Sequence, residues 1–443
     1  MKRYETYKDS GILWLDAIPS HWHEEKLKHI STCNDEVLSE DTPDELIIHY
    51  VEISDVDSVA GINNHTDYTF ANAPSRARRI TRKNDVIIST VRTYLKAIAT
   101  VKEDDLIVST GFAVIRPTKV NQRYLAYSLL NDDFLGEVVS KSVGVSYPAI
   151  NATDLIEIKI PVPPREEQET IAAFLDHKVS QIDATIAEKE QMLEDLKNYR
   201  SAIISEAVTK GLDKNVEMKD SGIEWLGMIP KHWGLVKLKN KAKVNGRIGF
   251  RGYTTADLVP KGQGAYTIGG KHITNCVIDL SNPDFISWDK YYESPEIMVK
   301  KGDILMAQRG SLGKAALVRE DIGDATINPS LVLLNSIAMN EVFLYYYLVS
   351  SSCLAYIDLL NTSTAVPMIS QNQIENIFVP IPSGKEQKQI ADYLDRKTKE
   401  IDETTIMVSN QISDLKSYKS ALITEAVTGK IDLREWKPKE ENV

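Results

Sequence analysis

The sequence predicts an α+β protein: two similar mixed α/β globular units joined by two long helices that form an antiparallel coiled coil, with internal pseudo-twofold symmetry. Three observations predict it. The Trp/Pro-rich phrase KDSGILWLDAIPSHW at 8–22 returns as KDSGIEWLGMIPKHW at 219–233. A longer block, 161–213, returns at 380–432 with roughly two residues in five identical. Before each copy of that block lies a stretch of about 150 residues carrying short β-branched runs between turns.

In chain order, the first globular unit holds the strand candidates DVIIST (85–90) and LIVST (106–110), and the second holds DILMA (303–307) and SLVLL (330–334). A weaker repeat survives inside these units. KNDVIISTVRTYLKAIAT (83–100) aligns with KGDILMAQRGSLGKAALV (301–318), setting Lys96 on Lys314. SVGVSYPAI (142–150) aligns with NTSTAVPMI (361–369) through Pro148 and Pro367. Apolar positions persist while polar ones differ, so the units read as one fold with two different faces.

The 161–213 copy opens a helix on PVPP, with Glu166, Glu167 and Glu169 in the first turn, where acids interact favourably with the helix dipole. The later copy opens on Ser383-Gly384-Lys385-Glu386, an S-x-x-E capping box. Gly211 and Gly429 mark the ends. Apolar positions Ile171, Leu175, Val179, Ile182, Ile186, Leu193, Leu196 and Ile203 recur in the first copy, and Ile390, Leu394, Ile401, Val408, Ile412, Leu415 and Leu422 in the second. Their steps alternate near three and four, the coiled-coil period. About 43 residues at 1.5 Å rise make each rod roughly 60–65 Å long. Each helix pairs with the other or, alternatively, packs on its own globular unit. The segments SAIISEAV (201–208) and SALITEAV (420–427) are apolar on more than one face. A two-helix rod leaves one such face open, so a further protein is expected to dock there. The chain therefore divides into 1–155, a first globular unit; 156–211, a helical region; 212–375, a second globular unit with a short linker; and 376–443, a helical region and tail.

At 443 residues there is length for several cores, and 42 % hydrophobic with 26 % charged residues is ordinary for a soluble globular chain. The opening MKRYETYKDSG has no apolar h-region, and no apolar run reaches the length of a membrane span. Cys33, Cys276 and Cys353 are scattered, as in a reducing compartment. These features place the chain in the cytoplasm, away from membranes.

A net charge of −11 argues against nucleic acid until its distribution is read. Between His29 and Ser75 there is no Lys or Arg, while Asp35, Glu36, Glu40, Asp41, Asp44, Glu45, Glu52, Asp55 and Asp57 are acidic. Residues 76–102 reverse this with Arg76, Arg78, Arg79, Arg82, Lys83, Arg92, Lys96 and Lys102 against Asp85 alone. Residues 237–271 do the same with Lys237, Lys239, Lys241, Lys243, Arg247, Arg251, Lys261 and Lys271 against Asp257.

Positions that serve a shared scaffold should agree between halves, and positions that meet different ligands should not. Trp14, Pro19, Trp22 and their partners Trp225, Pro230, Trp233 agree, so the repeated phrase reads as a structural clasp. The diverged basic stretches are the candidate DNA-reading surfaces, since base edges are read by Arg or Lys at guanine and Gln or Asn at adenine. The candidates in the first half are Arg76, Arg78, Arg79, Arg82, Thr90, Arg92, Tyr94, Lys96 and Tyr147. Those in the second are Lys243, Arg247, Arg251, Tyr253, Lys271, Gln308, Arg309, Ser311, Lys314 and Thr364. Thr90, Arg92, Tyr94 and Lys96 form one cluster and Gln308, Arg309, Ser311 and Lys314 another, on corresponding loops, and in the second Gly310 and Gly313 permit close backbone approach.

Catalytic motifs fail. GSLGKAA (310–316) lacks the first Gly and the Ser/Thr of a Walker A loop, and KGQGAYTIGG (261–270) has Thr267 where G-x-G-x-x-G needs its third glycine. NPDF (282–285) and NPSL (328–331) each break the Asn/Asp-Pro-Pro-aromatic box of adenine methyltransferases. The eight histidines show no zinc-ligand spacing, and no metal or cofactor is expected on this chain.

Together, the tandem KDSGI-x-WL-x-x-IP-x-HW openings, the P-x-P…EQ…I…LD helix starts and the two variable units resemble the specificity subunit of type I restriction–modification systems. The resemblance spans essentially the whole chain. It implies two target recognition domains, one for each half of a bipartite, asymmetric double-stranded DNA site, with the coiled coil fixing their spacing. It further implies docking of two methyltransferase subunits that use S-adenosylmethionine, and of restriction subunits that use ATP and Mg2+. Two other readings stay open: a single-chain DNA methyltransferase or nuclease with duplicated recognition domains, and a coiled-coil interaction protein that does not bind DNA.

Overall fold

The computed structural model describes residues 2–57, 61–247, 252–274, 276–361 and 366–438. The chain divides into two compact units, 1–191 with 409–443 and 192–408. Each contains one globular body, half of a helix Arg165–Lys210 and half of a helix Gly384–Val427.

The first body is built on two four-stranded sheets. One is antiparallel, in the order Ile98–Thr100, Val86–Ser89, Phe112–Pro117, Ser31–Cys33. The other runs Thr66–Thr69, Ile47–Val51, Leu106–Ser109, Ala77–Ile80, with its two middle strands parallel. The second body repeats the first sheet as Ala315–Leu317, Ile304–Ala307, Leu331–Asn335, Lys243–Gly246. It repeats the parallel pair as Gly264–Ile268 beside Ala325–Ile327, flanked by Asp284–Ser287. Where the strand Ala77–Ile80 stands in the first body, the second has only an isolated Met298–Thr326 bridge. All four strands expected from their β-branched runs form, because they are buried on both faces between these sheets and the helices.

The long helices have 46 and 44 residues and start as their sequences dictate. The Ser383 hydroxyl and Glu386 carboxylate bond reciprocally at 2.8–3.3 Å, completing the capping box. Gly211 (φ +79°) and Gly429 (φ +72°) take the left-handed conformation just past the ends. Within each unit the two helices run antiparallel. Lys419 Nζ reaches Asp183 at 2.8 Å and Lys189 Nζ reaches Gln411 at 2.6 Å in the first unit, and Arg200 Nε reaches Asp402 at 3.2 Å in the second. Along the expected seam Ile171, Leu175, Ile182, Ile186, Ile203, Ile390, Leu394, Ile401, Val408, Ile412 and Leu422 are buried, and Leu193, Leu196 and Leu415 half-buried.

One expectation is corrected. The second apolar face of each helix end is not left open for another protein, because the globular body covers it. Ile203, Ile204, Ala207 and Val208 join the core of the second unit with Ile229, Trp233 and Phe343. In the first unit Leu422, Ile423, Ala426 and Val427 are buried likewise.

The repeated phrase closes this junction in both units. In the first, Trp22 is fully buried and donates Nε1–H to Glu167 in the opening helical turn at 3.0 Å; Tyr4 OH and His21 Nε2 reach the same carboxylate at 3.0 and 2.6 Å. A Cβ on Gly429, at the end of the other helix, would stand 2.4 Å from Pro19 and 3.2 Å from Trp22. The second unit repeats the arrangement: Trp233 Nε1 and His232 Nε2 hold Glu386 at 3.3 and 2.8 Å, and Gly211 lies against Trp233. Each phrase thus joins the start of one long helix to the end of the other. Trp14 and Trp225 pack outward from it, edge-on to Phe134 and stacked at 4.6 Å on Tyr356.

Burial pushes the Glu386 carboxyl up, but donors from His232, Ser383 and Trp233 outweigh it and hold its pKa at about 2. A depressed carboxylate pKa contributes stability above the ordinary Glu range, and that contribution is lost as pH falls through the folded value. Glu386→Gln is therefore expected to destabilise at neutral pH and to match wild type near pH 2. Urea midpoints of both proteins between pH 7 and pH 2.5 check this; a gap that stays constant with pH would refute it. Among the described residues, no single helix is long and apolar enough to cross a membrane.

Candidate nucleic-acid interface

The two aligned candidate loops occupy the same place in each body, connecting the corresponding hairpins Val86–Ser89/Ile98–Thr100 and Ile304–Ala307/Ala315–Leu317. Each is pinned by the second repeated segment through equivalent backbone contacts. In the first body Ile150 N donates to Thr90 O at 2.9 Å, Thr93 N to Pro148 O at 3.4 Å, and Val91 bridges Ala149. In the second Ile369 N donates to Gln308 O at 2.9 Å, Gly310 N to Pro367 O at 2.8 Å, and Arg309 bridges Met368. One scaffold thus presents two differently furnished tips.

The first tip gathers Thr90, Arg92, Tyr94 and Tyr147. Thr90 Oγ1 donates to Gly111 O at 2.8 Å, fixing the root of the loop. The Arg92 guanidinium lies 5.0 Å over the Tyr147 ring. Arg92 and Lys96 both sit at φ +50°, a conformation costly for residues with a Cβ and concentrated at functional loops. Lys96 Nζ pairs with Asp132 at 3.1 Å, and Asp132 also accepts from Ser420 of the second long helix. Around these lie apolar side chains that sequence reasoning missed: Val145 and Val143 are 102 % and 81 % exposed, with Val91 and Leu95 also exposed. Their signal was the alternation in SVGVSYPAI, but only the docked loop shows which side chains point outward.

The second tip holds Gln308, Arg309, Ser311 and Lys314. Gln308 donates through Nε2 to Pro329 O at 3.0 Å, and Arg309 Nη2 lies 3.4 Å from Met368 Sδ. Ser311 and Lys314 are exposed; Gly310 (φ +82°) takes the left-handed conformation that Arg92 takes at the aligned position, and Gly313 (φ +79°) takes it one residue before the position aligned with Lys96. Beyond this tip, exposed Trp288 and Tyr292 stack with centroids 6.1 Å apart, an aromatic surface that sequence reasoning did not single out.

The remaining candidates are engaged elsewhere. Arg76 pairs with Glu52 and Arg82 with Glu36, so the arginine run folds against the acidic stretch that precedes it. Arg78 lies 4.7 Å over Phe70, and Arg79 is half-buried and donates to Thr110 O at 3.2 Å. Arg247 is buried, donating to Ile327 O and Thr326 Oγ1 at 3.2 Å beneath Tyr253. Tyr253 OH accepts from Thr267 at 3.3 Å, Lys271 pairs with Asp284 at 2.7 Å, and Lys243 is exposed on its strand. Arg251 and Thr364 lie outside the described residues.

Comparison with known proteins bears on these surfaces. The model of the type I restriction modification DNA specificity domain matches residues 47–197 and 276–412. The EcoBI specificity subunit of Escherichia coli is 24 % identical over 331 residues, covering 72 % of this chain and 67 % of that one. The MjaVIII specificity subunit of Methanocaldococcus jannaschii is 28 % identical over 318 residues, 70 % of either chain. Among solved structures, a chain from a type I R-M system aligns with a TM-score of 0.73 at 22 % identity, over 94 % of this chain and 99 % of that one. The HsdS subunit from Thermoanaerobacter tengcongensis aligns with a TM-score of 0.50 at 24 % identity, over 94 % and 98 %. Both likenesses are of fold.

Proposed function

The chain belongs to the type I restriction–modification DNA specificity family, and from that membership we infer that it is the sequence-reading, non-catalytic component of a DNA-modifying assembly. Each globular body reads one half of a bipartite, asymmetric double-stranded target. The observation that carries this reading is the pair of loop tips held alike and furnished differently, Thr90/Arg92/Tyr94/Tyr147 in one body and Gln308/Arg309/Ser311/Lys314 in the other. Sites serving one scaffold stay alike; sites serving different base pairs diverge.

The chemistry of the tips suits groove readout. Arg92 and Arg309 match the paired acceptors of guanine, and exposed hydroxyls and lysines match phosphates and base edges. The projecting Val143, Val145 and Tyr147 beside Arg92 suit contact with thymine methyls or wedging at a base step. Residues 1–155 and 212–375 are assigned as the recognition domains, and 156–211 and 376–443 as the helical regions that fix half-site spacing. Two methyltransferase subunits carrying S-adenosylmethionine, and restriction subunits using ATP and Mg2+, complete the assembly in the cytoplasm. In the second unit exposed Met192, Tyr199, Ile406 and Met407 on the helices supply apolar surface for such a subunit.

The test is a genome-wide map of N6-methyladenine in source cells with and without the gene. Deletion is expected to erase one bipartite, asymmetric motif and leave all others. An unchanged map in cells where a methyltransferase subunit co-purifies with this chain would overturn the reading.

A further inference from the structure

We propose that the first globular body carries a divalent transition-metal site formed by His49, His65 and Asp67, suited to Zn2+. Spacing along the chain does not announce it; strand pairing creates it. His49 and Asp67 are direct cross-strand partners in the antiparallel pair Ile47–Val51/Thr66–Thr69, and His65 lies two residues before Asp67. Alternation along a strand puts residues two apart on one face, so the three side chains converge.

The ligand atoms all lie within 4.8 Å of one another. His49 Nδ1 is 2.7 Å from Asp67 Oδ1, His65 Nε2 is 3.6 Å from the same oxygen, and the two imidazoles are edge-on with centroids 5.2 Å apart. One histidine suffices to hydrogen-bond this carboxylate, and 3.6 Å is too long for the second to do so. A shared cation explains why both rings turn a nitrogen toward one oxygen. Bonds of about 2.0–2.2 Å in a tetrahedron set the ligand atoms roughly 3.3–3.6 Å apart, so the His49–Asp67 pair must open and the widest pair close by about an ångström, which exposed rotamers allow.

The donor set favours the ions that imidazole and carboxylate select, zinc among them, over Mg2+ or Ca2+. Among the described residues, the ion pairs of Asp67 are with these two histidines alone. Three protein ligands leave a fourth position for water, and the ion would pin the strand Thr66–Thr69 to its neighbour.

The experiment uses the full chain stripped with EDTA and titrated with Zn2+ against a chromophoric chelator. Wild type is expected to take up one equivalent more than the His49→Ala/His65→Ala variant, and Asp67→Asn to bind at least ten-fold more weakly. Comparison with the variants removes metal held by the three free cysteines. Saturating Zn2+ should raise the melting temperature of wild type and not of the double variant, as preferential binding to the folded state requires. Equal zinc uptake by wild type and by a double variant with unchanged circular dichroism would overturn the proposal.

Discussion

Trp22→Ala is expected to destabilise the first unit by about 3–5 kcal/mol, the usual cost of removing a fully buried large aromatic. For a unit of this size that lowers the melting temperature by roughly 10 °C. Trp22 has no exposed surface, and its Nε1–H holds the Glu167 carboxylate together with Tyr4 and His21. Truncation therefore opens a cavity and removes one of the donors on a partly buried charge. Trp22→Phe keeps most of the volume and loses only the donor, so its cost should be nearer 1 kcal/mol. Trp233→Ala should act similarly in the second unit, where Trp233 is equally buried and holds Glu386. Gly429→Ala tests the same junction from the other side: φ is +72° and the new Cβ would stand 2.4 Å from Pro19. Gly222→Ala has the same φ with nothing near its Cβ, so it isolates the backbone cost. Calorimetry and urea melts measure all of these. A Trp22→Ala protein with an unchanged melting temperature but impaired DNA binding would mean that the indole faces a ligand.

The clasp was legible in the sequence because identity at matched positions survives only where both halves need the same contacts. Its partners, Glu167 and Glu386, were legible as first-turn acids, but their attachment to the indoles was not, since that depends on how each body docks on its helix. The arginine run shows a limit of another kind. Read linearly, Arg76 and Arg82 stand apart from Glu52 and Glu36; sheet order then brings the acidic and basic segments together and neutralises both pairs. Arg247 followed the same logic, a basic residue in a basic stretch that folding placed beneath Tyr253 against the Ile327 carbonyl and the Thr326 hydroxyl. Both loop tips were legible through the weak internal repeat. The left-handed Arg92 and Lys96 were not, because nothing in local composition marks them, and only at the position of Arg92 does the other half use glycine. His49, His65 and Asp67 needed a strand register that no spacing rule encodes.

Folding thus separates the arginines of the loop tips from arginines already paired with acids. In the assembled methyltransferase, Arg92→Ala and Arg309→Ala should each weaken recognition of a different half of the target. A bidentate arginine–guanine contact contributes about 1–3 kcal/mol of discrimination, so each variant should lose roughly 5- to 150-fold in cognate affinity and relax base choice at one position. Belonging to different halves, the two losses should add in the double variant. Arg76→Ala and Arg82→Ala remove charges already paired with Glu52 and Glu36, so they should change affinity little and relax no position. Binding to a library of half-site variants at fixed salt distinguishes these outcomes, fixed salt being essential because phosphate contacts shift affinity with ionic strength. Equal, sequence-independent losses from all four substitutions would mean that the arginines only attract the backbone, and the loop tips would not be the reading surface. Losses confined to one half-site for Arg92 and to the other for Arg309 would assign each body to its half of the DNA.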